Sequence, residues 1–178
     1  MTEPSGAGPL VVLIGPPGAG KSTIGRVVAD RLGVAALDTD DAVQQVSGSS
    51  IGDLFFDHGE AYFRTLERDA VATALREHTG ILSLGGGSVI DSQTQADLRE
   101  LCADRVVFLD VTIGDAAGRV GFDQSRPLLN VNPRASWTAL MKVRRPIYAA
   151  LAAVTVDTSR RTPDEIADEV ITALGLGS

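Results

Sequence analysis

Residues 15–22 read Gly-Pro-Pro-Gly-Ala-Gly-Lys-Ser, the spacing G-x-x-x-x-G-K-S/T, and Thr23 follows. The pattern comes directly after an apolar run at 10–14 and opens a stretch of helical period, the strand–loop–helix context that a phosphate-cradling loop requires. Glycines at 15, 18 and 20 let the backbone N–H groups of the loop, Ala19 included, wrap a phosphate at a helix N-terminus. Lys21 then reaches the β and γ oxygens, and the Ser22 hydroxyl is a ligand for Mg²⁺. A nucleoside triphosphate with Mg²⁺ is therefore expected on residues 15–23. A guanine reader of the N-K-x-D type is absent, because neither Lys21 nor Lys142 follows an asparagine. A small kinase is the leading class.

Further along, Asp38-Thr39-Asp40 is expected at the carboxyl end of a second strand, the edge of an open α/β sheet where ligands bind. Two-residue spacing in a strand sends both carboxylates to one face, roughly 7 Å apart, one near the metal and one near an acceptor hydroxyl. A helix cap leading into Asp41 is the competing reading. Gly85-Gly86-Gly87 ends a third apolar run, where glycine allows close approach to the backbone and consecutive N–H groups can cup an anion or hydroxyl; a plain flexible loop competes.

Among the arginines, Arg144 falls inside an apolar helical stripe of Trp137, Leu140, Met141, Ile147, Tyr148 and Leu151. A buried guanidinium needs an anionic partner; a snorkelling stem is the alternative. Arg64 borders the stripe Phe63, Leu66, Ala70 and Ala74, within reach of Glu60 or Glu67, so a surface ion pair competes with a ligand role. Phe55, Phe56, Tyr62 and Phe63 are expected mostly in the core, with one or two as an apolar pocket wall. Arg126 lies in the irregular stretch 121–134, read as a lid, where an arginine closing over the γ-phosphate would stabilise transferring charge. Arg119 sits one turn inside the preceding helix, and Arg160 and Arg161 follow the last apolar run.

The elements that must position these residues alternate. Continuously apolar runs at 10–14, 81–84, 106–109 and 154–156, with 36–40 weaker, read as strands buried on both faces. Helical periods cover 21–32, 60–78, 92–103, 135–152 and 163–174, with shorter ones at 41–47, 51–57 and 112–120. The class is α/β: a doubly wound parallel sheet of about five strands with helices on both faces. Thr162-Pro163-Asp164-Glu165 marks one helix start with a cap, a first-turn proline and two acids. A single domain spanning 1–178 suits this length, and 44% apolar residues fill its core.

Composition narrows the partners. With 23 acidic against 16 basic residues the net charge is −7, so binding to nucleic acid or an anionic membrane through the overall field is not expected. No apolar run approaches the length of a membrane span, the first nine residues are read as a loose terminus with no address signal expected, and the lone Cys102 is read as a buried small hydrophobe. A cytoplasmic monomer is expected.

Taken together, GPPGAGKST, LDTDDAV, the Phe-Arg of YFRTLE, LSLGGG, SRPLL and RRPIY, in this order, resemble the bacterial shikimate kinases over residues 10–173. The resemblance implies a three-layer P-loop kinase fold of the nucleoside-monophosphate-kinase type, sheet order 2-3-1-4-5, with a shikimate-binding insertion over 41–79 and the lid over 121–134. It implies transfer of the γ-phosphoryl of ATP, with Mg²⁺, to the 3-hydroxyl of shikimate. The family's catalytic aspartate falls on Asp40 and its metal-associated acid on Asp38. Its carboxylate-binding arginines fall on Arg64 and Arg144, with Gly85, Gly86 and Gly87 lining the acceptor site. The lid arginine falls on Arg126, and Arg119, Arg161 and Pro163 surround the adenine. A gluconate kinase-like enzyme is the nearest alternative, and a non-catalytic nucleotide-dependent regulator a more distant one.

Overall fold

The computed structural model describes residues 8–120 and 132–177. In chain order its elements are β1 (Val11–Ile14), α1 (Lys21–Leu32), β2 (Ala36–Asp38), α2 (Thr39–Ser47), α3 (Ile51–His58), α4 (Glu60–Glu77), β3 (Ile81–Ser83), a 3₁₀ turn (Ser88–Ile90), α5 (Ser92–Cys102), β4 (Val106–Asp110), α6 (Ile113–Val120), α7 (Pro133–Leu151), β5 (Val154–Asp157) and α8 (Pro163–Ala173). The five strands are parallel in the order β2-β3-β1-β4-β5. That is the expected order, and its consequence is positional: every strand delivers its carboxyl end to one edge. The phosphate loop, Asp38, the triple glycine and the chain after β5 all emerge there.

From β1 the chain crosses to β2 in one direction, and the later crossovers run the other way. Right-handed connections therefore place α1 on one face and α4, α5 and α7 on the other. Contacts agree: α8 joins α1, whereas α5 touches both α4 and α7. Central strands β1, β3 and β4 are apolar up to the polar Ser83 and Asp110 that end β3 and β4, because both faces are covered, and residues such as Val12, Leu82 and Val107 are fully buried. The edge strands differ from the expectation of two-sided burial. Ala36 of β2 and Thr155 of β5 are exposed, since each edge strand has a neighbour on one side only.

Helices α2, α3 and α4 fill the connection from β2 to β3 and carry a small core of their own, Val43, Leu54 and Phe63. Phe63 is the only one of the four clustered aromatics in that core; Phe55 packs on it, with ring centroids 4.9 Å apart, while Phe56 is 91% and Tyr62 44% exposed. The expectation that most of the four would be buried is therefore corrected. On α4 the buried face is Phe63, Glu67, Val71, Ala74 and Leu75. The apolar stripe read from sequence was rotated, because it skipped the charged Glu67. On α7 the buried face is Trp137, Met141, Arg144, Tyr148 and Leu151, as the stripe predicts.

Of the expected lid, residues 132–134 cap and open α7, with the Asn132 side chain accepting from the Ala135 N–H at 3.4 Å. Arg126 and the rest of the lid lie outside the described residues. Among the described residues no helix is long and apolar enough to cross a membrane.

Candidate active site

The loop between β1 and α1 turns through Gly20, which enters the helix at φ 89°, a left-handed conformation in which a side chain would be strained. No side chain caps α1, so its first N–H groups are left to an anion. Lys21 folds back over this loop, its Nζ donating to the carbonyls of Gly15 at 2.7 Å and Pro16 at 3.0 Å. Two side chains tie the loop down from outside. The Trp137 indole N–H donates to the Pro17 carbonyl at 3.0 Å, and Arg119 Nη1 donates to the carbonyls of Gly18 and Ala19 at 3.3 Å each. Arg119 is itself held by Thr158, whose hydroxyl accepts from Nη1 at 2.9 Å and donates to the Asp110 carbonyl at 2.9 Å.

A cavity of about 500 Å³ lies over this loop. Residues 18–23, Asp38, Asp40, Gly85, Gly86, Arg119, Arg161 and Pro163 are among the residues that line it. Ser22 donates to Asp38 Oδ2, so the two expected metal-associated groups meet. The strand geometry expected for Asp38 and Asp40 is corrected. β2 ends at Asp38, whose Oδ1 accepts the Asp40 N–H at 2.8 Å and so caps α2, and Asp40 sits in that helix's first turn. Asp38 thus caps the helix, the competing reading from sequence, with one oxygen and accepts from Ser22 with the other. Among the described residues no group of three or more His, Cys, Asp or Glu gathers for a metal. One carboxylate and one hydroxyl beside a phosphate loop is the oxygen donor set suited to Mg²⁺ held mainly by phosphates and water. Arg161 lines the cavity, but its Nη1 pairs with Glu169 at 2.6 Å.

A second cavity, about 470 Å³, is lined by Arg64, Glu67, Arg68, Gly87 and Arg144, among others. The triple glycine thus borders both cavities. What comes close to Gly85 and Gly87 is side chains. A Cβ on Gly85 would stand 2.7 Å from both Asp40 Oδ1 and Glu67 Oε2, and one on Gly87 would stand 2.5 Å from Arg64 Nη2. Arg64 Nη1 pairs with Glu67 Oε1 at 2.6 Å, and its guanidinium carbon lies 5.2 Å from the centre of the Phe63 ring. Glu67 is only 3% exposed. Burial raises its carboxyl above the ordinary range, opposed by Arg64 and, more weakly, by Arg144. Arg144 is 5% exposed and forms no ion pair with any described carboxylate. Behind it, the fully buried Tyr148 donates its hydroxyl to the Gly86 carbonyl.

Sequence reasoning missed Glu67, weighed only as a surface partner, along with Tyr148, Trp137 and Thr158. The signal for Glu67 was its spacing, one turn after Phe63 on the same helical face. For Tyr148 and Trp137 the stripe predicted burial but not the polar tips. Off the stripe, Arg145 Nη2 pairs with Asp110 at 2.9 Å.

A phosphate loop at the sheet's carboxyl edge, a hydroxyl–carboxylate pair beside it, and an adjoining arginine-lined cavity define a P-loop kinase of a small acceptor. Comparison with known proteins narrows this class. The shikimate kinase family model matches residues 17–175. A shikimate kinase of Thermobifida fusca (strain YX) is 52% identical over 160 residues, 90% of this chain and 91% of the relative. The solved shikimate kinase from Acinetobacter baumannii in complex with shikimate aligns at a TM-score of 0.89 and 30% identity, covering 95% of this chain and 93% of that one. The chain belongs to the shikimate kinase family. A gluconokinase from Sinorhizobium meliloti 1021, aligned over 96% of this chain and 94% of its own, reaches a TM-score of 0.55 at 19% identity and shares the fold alone.

Proposed function

We propose that this chain transfers the γ-phosphoryl group of ATP to the 3-hydroxyl of shikimate, giving ADP and shikimate 3-phosphate. Arg144 carries the acceptor side of the reading. It is a buried guanidinium on a cavity wall shared with Arg64, and Glu67, an acid on that wall, is ion-paired to Arg64 and acts on Arg144 only through its weaker field. Removing such a charge from water is costly unless an anion meets it, and the acceptor carboxylate supplies one. Arg64, held by Glu67, contributes the second cation.

The triphosphate lies along residues 15–23, with the N–H groups at the start of α1 on its phosphates. Lys21 leaves the loop carbonyls for the β and γ oxygens. Ser22 and Asp38 would hold Mg²⁺, which when bound neutralises charge on the β and γ phosphates. Asp40, next to Gly85 at the border of the two cavities, orients the 3-hydroxyl and takes its proton as the new O–P bond forms. The bond from the γ-phosphorus to the β,γ-bridging oxygen breaks, ADP leaves with the electron pair, and Lys21 with Arg126 stabilises the charge in transit. Arg119, Arg161 and Pro163 flank the adenine. Residues 41–79 form the acceptor-binding insertion and 121–134 the lid, in a cytoplasmic monomer.

The test is a coupled ADP-release assay of the purified protein with Mg·ATP and shikimate, quinate, gluconate or nucleoside monophosphates. Shikimate should give turnover well above the water background, and Asp40→Asn should lower it by about 10²-fold or more while ATP binding persists. Turnover with another acceptor and none with shikimate would overturn the reading. An unaffected Asp40→Asn variant would remove Asp40 from the mechanism.

A further inference from the structure

Tyr148 follows Arg144 by one turn on the buried face of α7, and its hydroxyl reaches across to the triple-glycine loop, 62 positions earlier, to donate to the Gly86 carbonyl. Its ring packs on Phe108 of β4, centroids 5.1 Å apart, so the phenol's position is set by the sheet. The Arg144 guanidinium lies beside the phenol oxygen. Gly86 is itself tightly placed: a Cβ there would stand 3.2 Å from Pro17 Cδ and 3.6 Å from Arg144 Nη1. The phenol and the arginine therefore converge on one residue of the loop, the hydroxyl on the Gly86 carbonyl and the guanidinium on its Cα side.

We infer that Tyr148 is a positioning residue for the acceptor: it fixes the Gly86–Gly87 peptide so that the Gly87 N–H faces the second cavity, and it backs the Arg144 guanidinium. The reason lies in peptide geometry. No described peptide is cis, and in a planar trans unit the N–H points opposite to the C=O. With the Gly86 carbonyl drawn down onto the buried phenol, the Gly87 N–H is turned the other way, toward the cavity that Gly87 lines. Burial pushes the phenol up to about 12, so the hydroxyl stays a donor throughout the neutral range. Phenylalanine keeps the packing and loses the bond.

The inference rests on the shikimate reading, and the tests separate the two. Turnover of shikimate by the wild type tests the reading, whereas the ratio of Tyr148→Phe to wild type tests the inference. In Tyr148→Phe, calorimetric titration should show shikimate affinity reduced by about tenfold and ATP affinity within about twofold of wild type, because the Gly86 carbonyl loses its partner on the acceptor side alone. KM for shikimate should rise more than kcat falls. Shikimate affinity unchanged, or both ligands weakened equally, would return Tyr148 to core packing. A second measurement needs no variant: in ¹⁵N-labelled wild type the Gly87 amide resonance should move on shikimate addition, and an unmoved resonance would overturn the assignment.

Discussion

Glu67 and Arg64 stand one turn apart on α4, and burial decides what that spacing means. An exposed pair at this separation contributes only a few tenths of a kcal/mol, but here the carboxylate is 3% exposed and the arginine is locked against Gly87. Two predictions follow from the contacts. In Gly87→Ala the new methyl would stand 2.5 Å from Arg64 Nη2. The end of a flexible side chain can yield, so the fold should survive with little change in Tm, while shikimate KM rises by about tenfold as Arg64 is displaced. An unchanged KM would show that Arg64 does not meet the acceptor.

The second prediction concerns pH. Burial holds the Glu67 pKa above its ordinary 4.5, so the folded state binds this proton more tightly than the unfolded one. The stability it contributes is full below 4.5 and is lost as pH rises through the raised value. Glu67→Gln should therefore show a smaller decline in unfolding free energy between about pH 5 and about pH 8 than wild type, read by urea denaturation. A parallel pair of curves would contradict it.

At the scale of elements, what the sequence made legible was local. Continuous apolar runs announced the central strands, and Thr162-Pro163-Asp164-Glu165 announced the start of α8, where a capping box is formed: Thr162 Oγ1 accepts the Glu165 N–H at 3.2 Å and Glu165 Oε2 accepts the Thr162 N–H at 2.8 Å. Losing that cap in Thr162→Ala should cost about 1 kcal/mol and lower Tm by about 2–4 °C in a chain of this size. Thermal unfolding followed by circular dichroism would detect it, and an unchanged Tm would mean the box contributes nothing. The end of β2 was not legible, because Asp38 both finishes a strand and caps a helix, and only the position of Ser22 distinguishes its oxygens. The polar tips on α7 were hidden for a different reason. Trp137 bonds a residue 120 positions earlier and Tyr148 one 62 positions earlier, and helical periodicity carries no information on such partners.

Across the whole molecule, charge is separated from function by location. The chain carries −7, yet Lys21, Arg119 and Arg161 line one cavity or its loop and Arg64 and Arg144 the other. On the proposed reading an anionic substrate pair approaches against the overall field, and its capture would fall to these few placed cations, mostly arginines, whose planar forks suit carboxylates and phosphates. Of these, Arg144 is the one the proposed function assigns most directly to the acceptor. The decisive measurement is calorimetric binding of shikimate and of ATP to Arg144→Ala beside wild type. Loss of a buried, charge-assisted contact should weaken shikimate by about 10²-fold while ATP stays within about twofold; equal weakening of both ligands, or none, would contradict the assignment of Arg144 to the acceptor carboxylate.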